Sequence, residues 1–168
     1  LILVLYSKSF LLHNSLFLVH YSRRSCRISP IFDVNATGLM VIIVFGLPGS
    51  GKSYFASRLA ADLKALYVST DELRLKLIPK RKYTDAEKAL VYDSVEAMMA
   101  DALRDKKPIV LDGTFYKESL RKKFEHTAGK FNEKIIYIEV TAPEGIIEDR
   151  LKQPRQYSEA DYGVYLLL

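Results

Sequence analysis

Val41-Ile42-Ile43-Val44-Phe45-Gly46-Leu47-Pro48-Gly49-Ser50-Gly51-Lys52-Ser53 is the stretch around which this 168-residue chain is organised. Val41 to Phe45 is a continuous apolar, β-branched run, the pattern of a strand buried on both faces of a sheet. It leads into a turn, Gly46 to Ser53, that matches G-x-x-x-x-G-K-[ST]. A helical pattern follows from Lys52 to about Leu63. Strand, Gly-rich turn and helix in that order form a phosphate cradle. The glycines let backbone N–H groups curl onto phosphate oxygens, and the helix start adds its positive dipole end. Lys52 suits the β- and γ-phosphates, and the Ser53 hydroxyl suits magnesium. The expected nucleotide-binding residues are Gly46, Leu47, Pro48, Gly49, Ser50, Gly51, Lys52 and Ser53, with the adjoining Tyr54. ATP and Mg2+ are the expected cofactors.

Downstream of this loop, β-type runs alternate with helical patterns. Leu66-Tyr67-Val68 is a second short strand. Ser69 and Glu72 read as a capping box for a helix that ends before Pro79. Thr84 and Glu87 form another, ahead of an amphipathic helix carrying Leu90, Val95, Met98, Met99, Ala102 and Leu103 on one face. Ile109-Val110-Leu111 is a third strand, closed by Asp112-Gly113. A helix near Lys117 to His126 precedes a fourth strand, Lys134 to Val140. Thr141 and Glu144 give a third capping box, with Pro143 in the first turn, and that helix stops near Pro154. Strands separated by helices imply βαβ crossovers and a parallel sheet. The expected fold class is α/β: a three-layer nucleotide-binding fold with a parallel sheet flanked by helices. Only four strands are visible, so a C-terminal strand and helix are expected to be missing.

Charge and composition narrow the partners. The pI near 9.2 and net charge of +5 suggest polyanion binding at first sight. Residues 1–39 alone hold Lys8, Arg23, Arg24 and Arg27 against Asp33, and the remainder is close to neutral. A general nucleic-acid face is therefore not indicated. One cysteine, Cys26, excludes an internal disulfide and fits a reducing, cytoplasmic setting. No apolar run approaches the roughly 18–20 residues of a membrane span. Residues 1–39 read as a non-core extension, from upstream translation ahead of Met40 or as an Arg- and Ser-rich transit peptide. Residues 40–168 read as the domain proper. No protein partner is indicated.

Three further places look toward a phosphoryl acceptor. Asp71 and Arg74 lie three residues apart in Ser69-Thr70-Asp71-Glu72-Leu73-Arg74, on one helix face at the carboxyl end of a parallel strand. There Asp71 would hold and deprotonate a hydroxyl, and Arg74 would hold an anion on the acceptor. The plainer reading is a capping carboxylate and a solvated charge. Asp112 ends strand three, where a carboxylate assists magnesium through water or binds the acceptor, with Thr114 beside it. Arg150, followed by Lys152 and Arg155, stands where cations close over a transferred phosphoryl group, although cations also stabilise a helix C-terminus.

Together these segments resemble the P-loop kinases related to polynucleotide 5′-kinases, a group akin to zeta toxins and chloramphenicol phosphotransferase. The likeness covers about residues 40–165. It rests on G-L-P-G-S-G-K-S, S-T-D-E-L-R, V-L-D-G-T-F, the V-T-A-P…R-L segment and Ser158-Glu159-Ala160-Asp161. The resemblance implies Asp71 as acceptor-side base, Arg74 as acceptor contact, and Arg150 with Arg155 as lid cations, completing a catalytic set with Lys52. The family's R-x-x-x-R spacing is not kept: Pro154 stands at the second position, Arg155 comes one residue late, and Lys152 is a substitute candidate. The expected function is transfer of the ATP γ-phosphate to a hydroxyl on a small molecule or a nucleic-acid 5′ end. A regulatory module that binds ATP without an acceptor is the alternative. Lys117, Arg121, Lys122 and Lys123 would either touch a phosphate-bearing substrate or form a solvated helix face.

Overall fold

A computed structural model describes residues 2–6, 17–20, 41–153, 163 and 165. The buried run around which the sequence is organised becomes strand β3 (Val41–Phe45), and the Gly-rich turn opens helix α1 (Lys52–Asp62). Strand β4 (Leu66–Ser69) leads directly into α2 (Thr70–Leu77), because the Ser69 hydroxyl accepts from the Glu72 amide at 3.4 Å and caps the new helix. Helix α3 (Asp85–Arg104) starts the same way, with Thr84 accepting from the Glu87 amide at 3.2 Å. Strand β5 (Ile109–Gly113), α4 (Glu118–Gly129), β6 (Ile135–Thr141) and α5 (Glu144–Leu151) complete the alternation.

Strands β4, β5, β3 and β6 are adjacent and parallel in that order. Numbered from β3, this is a 2-3-1-4 sheet, the strand order of a P-loop NTPase-like α/β fold. Two short strands, β1 (Ile2–Tyr6) and β2 (Phe17–His20), continue the sheet outward from β6, each antiparallel to its neighbour. Strand β3 is thus central, and its carboxyl end opens into the crevice where open α/β sheets bind ligands.

The side-chain alternation of the strands sorts the core into two layers. Ile42, Val44, Val110 and Ile138 meet Phe55, Ala56 and Leu59 of α1 on one face. Ile43, Leu111 and Val68 meet Val91, Val95 and Met99 of α3 and Phe124 of α4 on the other. Val44, Ile43, Leu59, Val91 and Phe124 are fully enclosed, and each such side chain contributes roughly 1.5–3 kcal/mol of burial.

Two local readings change. Leu90 lies within the expected apolar stripe of α3 but is 50% exposed, and Val91 takes its place in the core. The rest of the expected stripe holds, with Val95, Met99, Ala102 and Leu103 buried and Met98 packed against them. The start of α5 also shifts, with Pro143 rather than Thr141 as its N-cap. Strand β6 runs through Thr141, and Pro143 is the N-cap of α5, with no side-chain cap bond. Its carbonyl accepts from the Ile146 and Ile147 amides instead, at 3.0 and 3.1 Å. No described helix is long and apolar enough to cross a membrane.

Candidate functional site

The loop between β3 and α1 forms because Gly49 and Gly51 take left-handed backbone angles, with φ of +79° and +95°. This curl brings the amide of Ser50 onto the Leu47 carbonyl at 3.2 Å and starts α1 directly at Lys52. Lys52 is largely buried at the first turn, and Ser53 is exposed beside it. Ser50 is enclosed, and its hydroxyl has no partner among the described residues. Leu47 and Tyr54 lie on the open side, 37% and 56% exposed.

Asp112 arrives from the neighbouring strand. Parallel register places it level with Val44 of β3 and Ser69 of β4, on the α1 side of the sheet. It is 2% exposed. One carboxylate oxygen, Oδ2, accepts from the Tyr67 hydroxyl at 2.9 Å, and the other, Oδ1, has no described partner. Burial pushes its carboxyl pKa above the ordinary value. The Lys52 ammonium, the Ser53 hydroxyl and Tyr67 pull it back, while the nearby Asp71 charge pushes upward. Burial and the Asp112 charge drive the Tyr67 phenol upward as well, so Tyr67 stays a donor. Lys52, Ser53, Asp112 and Asp71 therefore act on one another within a single site.

The first residues of α2 and the end of β5 build the opposite wall. Among the described residues no hydrogen bond engages the Asp71 carboxylate. Arg74 is 9% exposed, its Nη1 lacks a described partner, and its guanidinium lies 5.4 Å from the Tyr83 ring centroid. Thr114 shares a 3.2 Å hydrogen bond with the Tyr92 hydroxyl of α3. Burial raises the Tyr92 phenol pKa, while Arg74 lowers it and Asp71 raises it, so all three side chains lie within electrostatic reach. The wall closes tightly at Gly113. A Cβ there would sit 2.8 Å from both Cγ2 and Oγ1 of Thr70. Tyr67 and Tyr92 are site residues that the motif reading missed.

Arg150 stands on the other side of the loop, where its Nη1 donates to the carbonyls of Gly49 and Ser50 at 2.9 and 3.0 Å. Lys152 pairs with Glu148 at 3.0 Å. Arg155, Pro154 and the Ser158–Asp161 segment lie outside the described residues. The basic run on α4 is largely engaged within the protein. Lys122 pairs with Glu118 at 2.9 Å, and Lys123 pairs with Asp93 and with Glu96. Arg121 donates to the Phe115 and Tyr116 carbonyls at 2.7 and 2.8 Å, and Lys117 lies over the Tyr116 ring at 5.9 Å.

Comparison with known proteins agrees with this architecture. A family model described as an AAA domain matches residues 41–163. A chain of the Pnkp1/Rnl/Hen1 RNA repair complex superposes with a TM-score of 0.59 and 21% identity, over 73% of this chain and 40% of that one. A gluconokinase from Sinorhizobium meliloti gives 0.54 and 19%, over 71% and 68%. The APS kinase of Mycobacterium tuberculosis, a structure with AMPPNP and APS, gives 0.58 and 17%, over 67% and 68%. This chain thus spans well under half of the RNA-repair chain and about two thirds of the two kinases. At these identities the likeness is one of fold. No curated protein matches the chain at a significant level.

Proposed function

The chain belongs to this AAA-domain family of P-loop proteins, and on that footing we propose that it is an ATP-dependent phosphotransferase moving the γ-phosphate to a hydroxyl acceptor. The observation that carries the proposal is the pairing of two half-sites. Lys52, Ser53 and the buried Asp112 face the loop, and Asp71, Arg74 and Thr114 stand across from them. A nucleotide-binding module without an acceptor has no need of Arg74, a buried guanidinium with a nitrogen that has no described partner.

Each residue then has a task. The loop amides and the start of α1 hold the phosphates. Lys52 stabilises charge on the transferred group. Asp71 orients the acceptor hydroxyl and takes its proton, a modest demand because the transition state of phosphoryl transfer is loose. Arg74 holds an anionic part of the acceptor. The donor set also fits magnesium, since Asp112 Oδ1 is buried without a described partner next to the Ser53 hydroxyl. These two residues would hold the ion, directly or through water, and when bound it would neutralise phosphate charge.

The acceptor proposed is a small hydroxyl compound carrying an anionic group, in preference to a long polynucleotide. The internal engagement of Arg121, Lys122 and Lys123 supports this choice, because few cations of α4 are left to follow a phosphate backbone. The test is incubation with γ-labelled ATP and either a 5′-hydroxyl oligonucleotide or a panel of phosphorylated and carboxylated alcohols. Label on a small alcohol is the expected result. Label on the oligonucleotide would reverse the choice of acceptor, and free phosphate alone would count against kinase activity.

A further inference from the structure

Arg150 contacts the nucleotide loop from behind. Its Nη1 bridges two successive carbonyls, Gly49 at 2.9 Å and Ser50 at 3.0 Å, across 101 and 100 residues of chain. Helix α5 is packed against the same point. A Cβ on Gly49 would lie 3.0 Å from Ile147 Cγ2, 3.1 Å from Leu151 Cγ and 3.2 Å from the Ile147 carbonyl. Ile147 and Leu151 are themselves buried, 3% and 8% exposed. Two apolar side chains and one cation from a single helix thus converge on two residues of the loop.

From this we infer that Arg150 is a positioning residue that sets the shape of the nucleotide loop through its backbone. The inference rests on the nucleotide-binding reading above and gives Arg150 a different task from that of a lid cation meeting phosphate. In a trans peptide the carbonyl and the following N–H point in opposite directions. Holding the Ser50 carbonyl toward α5 therefore turns the Gly51 amide away from α5. Holding the Gly49 carbonyl does the same for the Ser50 amide, which also donates to Leu47. The loop needs such a restraint because its glycines lose more backbone freedom on ordering than other residues. A guanidinium suits the task, since its hydrogen bonds to carbonyls are charge-assisted. Its positive charge also adds to the field of the loop.

A lid cation and a loop brace predict different behaviour in the absence of nucleotide. In ligand-free protein, hydrogen exchange of the peptide covering Gly46 to Ser53 should speed up roughly tenfold in Arg150→Ala, the scale expected for losing charge-assisted bonds. Arg150→Gln, which keeps one amide donor, should fall between Arg150→Ala and wild type. Affinity for ADP and for inorganic pyrophosphate should fall by a similar factor, although neither carries a γ-phosphate and pyrophosphate has no adenine. Unchanged exchange of the loop in both variants, each with wild-type melting behaviour, would overturn the brace. So would a loss confined to the rate of transfer with pyrophosphate affinity intact. Failure of the wild-type protein to bind ADP would instead overturn the nucleotide reading, and the exchange experiment would still decide the brace.

Discussion

The Tyr67 hydroxyl donates a 2.9 Å hydrogen bond to Asp112 Oδ2, joining residues 45 positions apart on adjacent strands. The carboxylate that receives it is 2% exposed, and its other oxygen has no described partner. A donor this deep orients Asp112 and compensates part of its burial. Tyr67→Phe should therefore lower stability by about 1–3 kcal/mol, the cost of leaving a buried polar group short of a partner. With Asp112→Asn as background the same change should cost roughly half as much, because the bond then joins neutral groups. Urea denaturation of the four proteins measures the coupling. Equal costs in both backgrounds would show that the Asp112 charge adds nothing to the bond.

Asp112 itself should be a site where function opposes stability. Its carboxyl pKa is raised by burial, so the folded protein binds that proton more tightly than the unfolded chain. The contribution of this group to stability is then fully present below the unfolded-chain value and is lost as pH rises through the shifted one. Asp112→Asn removes the charge without changing the shape. In ligand-free, chelator-treated protein at pH 7 this variant should melt above wild type, while magnesium-dependent nucleotide binding weakens. Melting below wild type would mean that the ionised carboxylate is well compensated.

Arg74 invites a parallel test on the acceptor side. A largely buried guanidinium with a nitrogen that has no partner among the described residues costs folding energy, and a hydrophobic residue of similar length relieves it. Arg74→Met should leave ATP affinity intact, stabilise the ligand-free protein by roughly 1 kcal/mol and raise the acceptor KM at least about tenfold. An unaltered acceptor KM would remove Arg74 from the acceptor site.

Gly113 allows α2 to approach the end of β5. Gly113→Ala places a methyl 2.8 Å from two atoms of Thr70 and 2.9 Å from Phe115 Cε2. The expected cost is about 1–3 kcal/mol of stability, as for other overpacked positions. Thr70→Ala in the same chain should recover part of that cost, because two of the three crowded contacts disappear. Differential scanning calorimetry of the single and double variants would detect a lack of recovery.

Much of the fold was legible because its signals are local. The loop glycines, the Ser69 and Thr84 caps and the buried run of β3 each act within a few residues, and each element formed close to its expected bounds. Asp71, Arg74 and Asp112 were legible because strand ends in a parallel sheet share one crevice. Tyr67 and Tyr92 were not. Tyr67 reaches Asp112 only because β4 pairs with β5 in a register that sets Ser69 opposite Asp112, and no local pattern reports a register. Tyr92 reads as one more aromatic on α3 until Thr114 is brought to it. Arg150 was visible as a cation in the right region, but the carbonyls it meets lie about a hundred residues away. The basic run of α4 was ambiguous for a related reason: its acidic partners Asp93 and Glu96 come from α3.

The central claim is acceptor-dependent transfer centred on Asp71, and the most direct measurement is transfer of label from γ-labelled ATP by wild type and Asp71→Asn, with ADP affinity determined alongside. The account predicts labelled acceptor with wild type, a loss of roughly 10²–10⁴ in transfer rate for Asp71→Asn, and equal ADP affinity for both. Undiminished transfer by Asp71→Asn, or phosphate release that no acceptor stimulates, would contradict it.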